Sequence, residues 1–469
     1  MLRRCLIALA CCASIQAQEL WMPAVFGDHM VLQRDAAPKL FGRTKPGAVV
    51  VAIGSWDDER REVKADADGS FAITLETSAE RGPFELVVEA DGAKRTFRDV
   101  LLGEVWLCSG QSNMEWPIRA TKSGVEGARE NLDPDVRWFH VPNRPSFTPR
   151  ADCEGAWQPS EPESIGDRSA VAFWFAHALR EELDAPIGLI QSDVGGTPAE
   201  SWTSVARLRE VGGFDRKLAL VAEAEAAGNE LSTQFPAVLF GGMIQPIIGY
   251  RFRGAIWYQG ESNVGRARQY ARLFPAMIGD WRERQGREFP FYFVQIAPFA
   301  YREDRGEAAE LREAQFLTMR NMPNTGMVVT ADIGDSADIH PKDKRTVGER
   351  LARWALAHDY EVEVEFSGPV YSGSRVEGGR IRVFFDHADG LTFGDRGPAC
   401  LTVAGSDRKF VPAQAKVEDG SILVWSDEVE APVAVRMAWG AADEPTLRNG
   451  ADLPASPFRT DDWPLVSQG

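Results

Sequence analysis

The segment Cys108-Ser-Gly-Gln-Ser-Asn-Met-Glu-Trp-Pro117 sets a serine in a short glycine-containing turn. The apolar run Val100-Leu-Leu-Gly-Glu-Val-Trp-Leu107 before it reads as a buried strand, and a helix is expected to start at Pro117. A serine at such a strand-to-helix turn is exposed to substrate, and backbone N–H groups at the helix start face any oxyanion formed there. A serine hydroxyl is a weak nucleophile without a base. On its own, Ser112 would read as a helix cap.

Three further polar motifs follow apolar runs. They are Asp193-Val-Gly-Gly-Thr-Pro-Ala-Glu-Ser-Trp202, Trp257-Tyr-Gln-Gly-Glu-Ser-Asn263 and Asp335-Ser-Ala-Asp-Ile-His-Pro-Lys-Asp343. In an open parallel sheet, loops beyond the carboxyl ends of the strands converge, so Ser112 and His340 can meet. His340 is the expected base, because a neutral imidazole can carry a proton from Ser112 to a leaving alcohol. The other five histidines, at 29, 140, 177, 358 and 387, lie in β regions, an apolar helix or unsupported contexts. Asp338 is preferred as the carboxylate that orients His340, with Asp335 or a backbone carbonyl as alternatives. Asp343 reads as a cap for the following helix.

The oxyanion is expected to meet the Ser112 N–H, the N–H of Gly195 or Gly196 (Gly196 preferred), and a side-chain amide. Gln259 and Asn263 compete for that last role, with Gln259 favoured for its place at a strand end. Trp116 and Trp202 are expected to stack on sugar, against the alternative of packing, and Glu261 to bind sugar hydroxyls or brace its loop. A glycosidase carboxylate pair of Glu261 and Asp193 is conceivable but leaves Ser112 and His340 unexplained. Cys108 precedes the serine turn but lacks its flanking glycine, and reads as a buried thiol rather than a nucleophile. No Cys/His cluster has zinc spacing, and neither metal nor organic cofactor is expected.

Taken in order, these four motifs resemble the bacterial sialate O-acetylesterase family, within the SGNH hydrolases. The N-terminal Pro23-Ala-Val-Phe-Gly-Asp-His-Met-Val-Leu-Gln-Arg34 is similar to that family's opening segment, so the resemblance covers most of the chain. It implies a serine carbohydrate O-acetylesterase acting on acetyl esters of sialic acid or plant glycans. The alternative is a glycan-binding protein with an inactive hydrolase domain. SGNH hydrolases carry Asp three positions before the histidine, where this chain has Ala337, and use Asn in their third block.

With 469 residues, 44% of them hydrophobic, the chain is long enough for two or three domains with substantial cores. A formal net charge of -17 argues against nucleic acid or an anionic membrane surface as partner, and suits neutral glycans. Arg3 and Arg4, the apolar run Cys5–Ala13 and Ala17 read as a cleaved secretory leader over 1–17, implying a periplasmic or secreted protein. Cys5, Cys11 and Cys12 fall in that leader, which leaves Cys108, Cys153 and Cys400. Three cysteines make no disulfide framework, although a Cys108–Cys153 pair is conceivable.

Around the motifs, rhythm separates three regions. Residues 18–99 alternate short strands with turns and read as a β-sandwich. Residues 100–358 alternate strands with helices over Ser169–Leu183, Val205–Ala227, Arg266–Gln285, Leu311–Asn321 and Lys344–His358, the pattern of a parallel sheet covered on both faces. Residues 359–469 are again β-like. The expected fold is a flavodoxin-like three-layer α/β/α hydrolase domain of SGNH type with flanking β-sandwich regions.

Overall fold

The computed structural model describes residues 20–467. The expected leader lies outside them. The central sheet is built from β1 (Ala93–Gly110), β2 (Val136–His140), β3 (Trp157–Pro159), β4 (Ile187–Asp193), β5 (Gly254–Tyr258), β6 (Phe291–Val294) and β7 (Thr325–Val328). Their order across the sheet is β7-β6-β5-β1-β4-β2-β3. All neighbours are parallel except the edge pair β2–β3. Strands β4 to β6 are buried at every position, which is why they read as continuous apolar runs.

Short helix α1 (Ser112–Glu115) follows β1 directly. Helices α2 (Ala170–Glu182) and α5 (Lys344–Asp359) share a core with one face of the sheet. Helices α3 (Ala267–Gln285) and α4 (Glu307–Asn321) pack into the core on the other. These are the three layers expected from the sequence. Ser169 caps α2 by accepting from the Ala172 N–H at 3.2 Å, and Asp343 caps α5 by accepting from the Thr346 N–H at 3.1 Å.

Three local expectations are corrected. The helix expected from Pro117 begins five residues earlier, at Ser112. The helix expected over 205–227 is two, Val205–Val211 and Asp215–Ala226, because Gly212 and Gly213 both take positive φ. The boundary placed at 99/100 falls inside β1. The first part of this strand pairs with Phe84–Ala90 of the N-terminal β region, and its last part with β4 and β5. The N-terminal strands are therefore continuous with the catalytic sheet and share its larger core. The C-terminal region forms two four-stranded sheets around a core of its own.

Candidate active site

Strand β1 ends at Gly110, whose φ of +144° suits only glycine, and whose added Cβ would lie 2.2 Å from the Tyr258 carbonyl oxygen. The chain turns there while pinned to β5: the Gln111 N–H donates to Tyr258 O at 2.9 Å. The Gln111 side-chain oxygen accepts from the Gly260 and Ser262 N–H groups, each at 3.3 Å. Ser112 thus opens α1 from a braced turn.

The loop after β7 brings His340 to the serine, with Nε2 2.9 Å from Ser112 Oγ. The imidazole lies against Trp116, with ring centroids 4.3 Å apart and planes 16° from parallel. Burial first, and the nearby Lys344 charge second, hold the imidazole below the ordinary histidine range. The surroundings thus favour the unprotonated ring, and Nε2 faces the Ser112 hydroxyl.

The Asp338 carboxylate approaches the other ring nitrogen, with Oδ1 3.5 Å from His340 Nδ1. That is an ion-pair distance, too long for a strong hydrogen bond. The same oxygen accepts from the His340 backbone N–H at 2.9 Å, and Oδ2 pairs with Lys342 Nζ at 2.9 Å. Lys342 and the backbone contact hold Asp338 below the usual carboxylate range. Asp335 instead accepts from the Ala337 N–H at 2.8 Å and shapes its own turn.

At the oxyanion side, α1 leaves the Ser112 N–H free of any acceptor among the described residues. Gly195, rather than the preferred Gly196, comes closest to the serine. A Cβ on Gly195 would lie 3.3 Å from Ser112 Cβ, whereas one on Gly196 would meet nothing within 4 Å. The Gly195 N–H is held by Glu115 Oε2 at 2.7 Å. Glu115 was not anticipated, although its place three residues after Ser112 on the same turn puts it beside the hydroxyl.

The side-chain amides expected in the oxyanion hole are spoken for. Gln259 Nε2 donates to Thr197 O at 3.2 Å and Asn263 Oδ1 at 2.7 Å, while Asn263 Nδ2 donates to Glu200 Oε2 at 3.0 Å. Both residues are fully buried and brace the Gly195-Gly-Thr197 loop from beneath. Trp202 is likewise fully buried, its indole N–H donating to Thr197 Oγ1 at 2.9 Å, so it supports that loop and presents no face to sugar. Glu261 is buried and accepts from Asn113 Nδ2 at 2.6 Å, so it braces the loops instead of meeting sugar hydroxyls.

A cavity of about 520 Å³ opens beside the serine, lined by Ser112, Glu115, Trp116, Pro117, Arg119 and Asp167. Of the tryptophans near the motifs, Trp116 is the one lining it. Arg119 pairs with Asp167 at its rim. Asp193 is buried, and burial pushes its carboxyl well above the usual carboxylate range. Neither it nor Glu261 reaches a substrate, which removes the glycosidase pair. Burial pushes the Cys108 thiol up as well, and Cys108, Cys153 and Cys400 are all unpaired, so no Cys108–Cys153 disulfide forms. Among the described residues, no group of three or more His, Cys, Asp or Glu side chains is placed to hold a metal ion.

A serine in contact with a histidine at the carboxyl edge of a parallel sheet covered on both faces fits an SGNH-type carboxylic ester hydrolase. Residues 102–357 match the family described as carbohydrate esterase, sialic acid-specific acetylesterase, and the chain belongs to that family. It is 32% identical over 382 residues to the sialate O-acetylesterase of Homo sapiens, covering 73% of this chain and 72% of that protein. The Mus musculus sialate O-acetylesterase is 29% identical over 480 residues, covering 88% of each chain. Among solved structures, a carbohydrate acetylesterase from Xanthomonas citri superposes with a TM-score of 0.86 at 37% identity, covering 95% of this chain and all of that one. Carbohydrate O-acetylesterase activity follows from this membership, and the inactive binding protein is not favoured.

Proposed function

We propose that this esterase removes acetyl groups from sugar hydroxyls through an acyl-enzyme on Ser112, with His340 as the base. The observation that carries the reading is the 2.9 Å contact between His340 Nε2 and Ser112 Oγ. Ser112 Oγ attacks the acetyl carbonyl as His340 takes its proton, and the oxyanion is received by the Ser112 N–H, joined by the Gly195 N–H once the Glu115 carboxylate that accepts from it gives way. His340 then protonates the departing sugar oxygen, which breaks the ester bond and leaves acetyl on Ser112. In the second half, His340 deprotonates water, which attacks the acetyl carbonyl; the bond to Ser112 Oγ then breaks as Oγ takes the proton back from His340, and acetate leaves. Asp338 steadies the imidazolium that forms in each half.

The cavity favours a neutral acetylated glycan over an anionic sugar. A sugar carboxylate is best recognised by an arginine fork. Arg119, the arginine lining the cavity, is paired with Asp167, and Lys342 is paired with Asp338. Farther off, Arg266 is paired with Glu200 at 2.5 Å and Arg345 with Glu349 at 2.6 Å. A periplasmic or extracellular site of action, inferred from Arg3, Arg4 and the apolar run after them, fits such a substrate.

The test is acetate release from a panel of acetylated sialic acid, xylan, xyloglucan and simple sugar acetates. Neutral members are expected to be preferred, and Ser112→Ala to lose about 10³-fold or more in kcat while remaining folded. Strong selectivity for acetylated sialic acid would overturn the neutral-glycan reading and place Arg119 on the substrate carboxylate. A near-wild-type Ser112→Ala would overturn the serine mechanism.

A further inference from the structure

Beneath the Ser112–His340 contact lies a buried charged group that the acyl-enzyme steps leave unused. Lys344 opens α5 and is fully buried, a rare place for an ammonium. Its Nζ donates to Asn113 Oδ1. The amide nitrogen of Asn113 donates to Glu261 Oε1 at 2.6 Å and to the Ile339 carbonyl at 3.1 Å. Asn113 directly follows the nucleophile and Ile339 directly precedes the base. One amide therefore ties the serine turn to the histidine loop, and its orientation is set by a cation on its oxygen and an anion on its nitrogen.

The groups facing Lys344 come from three elements. Tyr258, at the end of β5, places its ring centroid 5.0 Å from Nζ, and Glu261 follows in the next loop. Asp338 and Lys342 come from the histidine loop. Asn113 stands between Lys344 and Glu261, and one oxygen of Glu261 has no partner. The ammonium is thus incompletely neutralised, and its charge bears on His340.

We propose that Lys344 is a positioning residue for the esterase reaction, fixing the Asn113 amide that joins the Ser112 turn to the His340 loop. The proposal rests on the Ser112–His340 reading of the site. Burial brings Lys344 down to about 7 and pushes the Glu261 carboxyl up. As pH falls, the charged ammonium opposes a second positive charge on His340, so the base stays available further into acid. Removing the charge must therefore move the acid limb of the rate upward.

Two neutral variants separate charge from hydrogen bonding. Lys344→Met is expected to lower kcat on 4-nitrophenyl acetate by about tenfold or more with KM nearly unchanged, and to raise the acid limb of kcat/KM by about one pH unit. Lys344→Gln, which retains a donor for Asn113, is expected to lose less in kcat while sharing the upward movement of the limb. It carries the test should Lys344→Met fail to fold. The chain has only six histidines, so the His340 ring can be followed by NMR, and its titration is expected to move with the limb. Lower activity with an unmoved limb and an unmoved His340 titration would overturn the proposal and make Lys344 a mere packing element. Ser112→Ala is assayed alongside. If it is inert while the Lys344 variants match wild type, the positioning role falls and the serine reading stands; if it is fully active, both fall.

Discussion

The proposed chemistry at Ser112 and His340 needs a proton to pass between Oγ and an unprotonated Nε2, and the environment of the ring decides the pH at which that is possible. Burial holds His340 below the ordinary histidine range. A general base must be unprotonated to work, so kcat/KM is expected to stay high at neutral pH. It is expected to fall on the acid side with a midpoint below about 6.5; a midpoint above that value in a pH–rate profile would contradict the assigned environment. The long 3.5 Å approach of Asp338 to Nδ1, and its sharing with Lys342, give this carboxylate less leverage than a buried triad member. Asp338→Asn is expected to lower kcat by about 10- to 100-fold with little change in KM, and Asp335→Asn by less than about twofold. Equal losses in the two variants would remove Asp338 from the mechanism. Ser112, His340 and Asp338 could be singled out in the sequence because they sit in polar motifs directly after apolar runs. Asn113, Glu115 and Lys344 could not, since a lone lysine at a helix start reads as a solvated charge. For Trp202 and Glu261 the sequence leaves sugar contact and packing or loop bracing both open, and the structure takes the buried alternative for each.

At the scale of elements, every polar motif lies where a parallel strand ends, and the bracing between those ends sets the geometry. Gly195 and Gly196 show how closely. Gly195→Ala would put a methyl 3.0 Å from Glu115 Oε2 and 3.3 Å from Ser112 Cβ, crowding the serine. Gly196→Ala meets open space but strains a φ of +72°. The first is expected to cost about 100-fold in kcat with stability nearly kept, and the second about 1 kcal/mol of stability with a smaller loss in kcat. Kinetics and thermal melts of the pair check this, and the reverse ranking would make Gly196 the donor. Helix positions were legible from apolar periodicity over Ser169–Leu183, Arg266–Gln285 and Lys344–His358. The break at Gly212-Gly213 was written in the sequence as a glycine pair, yet the apolar pattern continues across it and masked the end of the first helix. The early start of α1 at Ser112 was hidden for another reason. A four-residue helix is too short to show a period.

Across the whole molecule, the catalytic sheet, the N-terminal strands and the C-terminal sandwich are coupled by buried polar contacts rather than joined by loose linkers. Strand β1 runs from the N-terminal sheet to the turn that carries Ser112 without a break, which composition alone could not reveal because both halves read as strand. On the other side, Arg312 of α4 is buried and donates to the carbonyls of Ala438, Gly440 and Ala441 in the C-terminal region. Arg459 there pairs with Glu313 at 2.6 Å. Arg312→Met removes the guanidinium from three carbonyls, of which Ala441 and Gly440 keep backbone donors in Phe299 and Asp443, and is expected to destabilise the protein by about 1–3 kcal/mol, read as a lower midpoint in denaturant. An unchanged midpoint would mean that the C-terminal sandwich contributes nothing through this contact. The account stands or falls on Ser112 as the atom that takes the acetyl group. Its most direct test is labelling of the intact protein with a fluorophosphonate, followed by peptide mass spectrometry. The prediction is a single adduct on Ser112, loss of esterase activity in step with labelling, and no adduct in Ser112→Ala. An adduct on another residue, or full activity with Ser112 completely labelled, would contradict it.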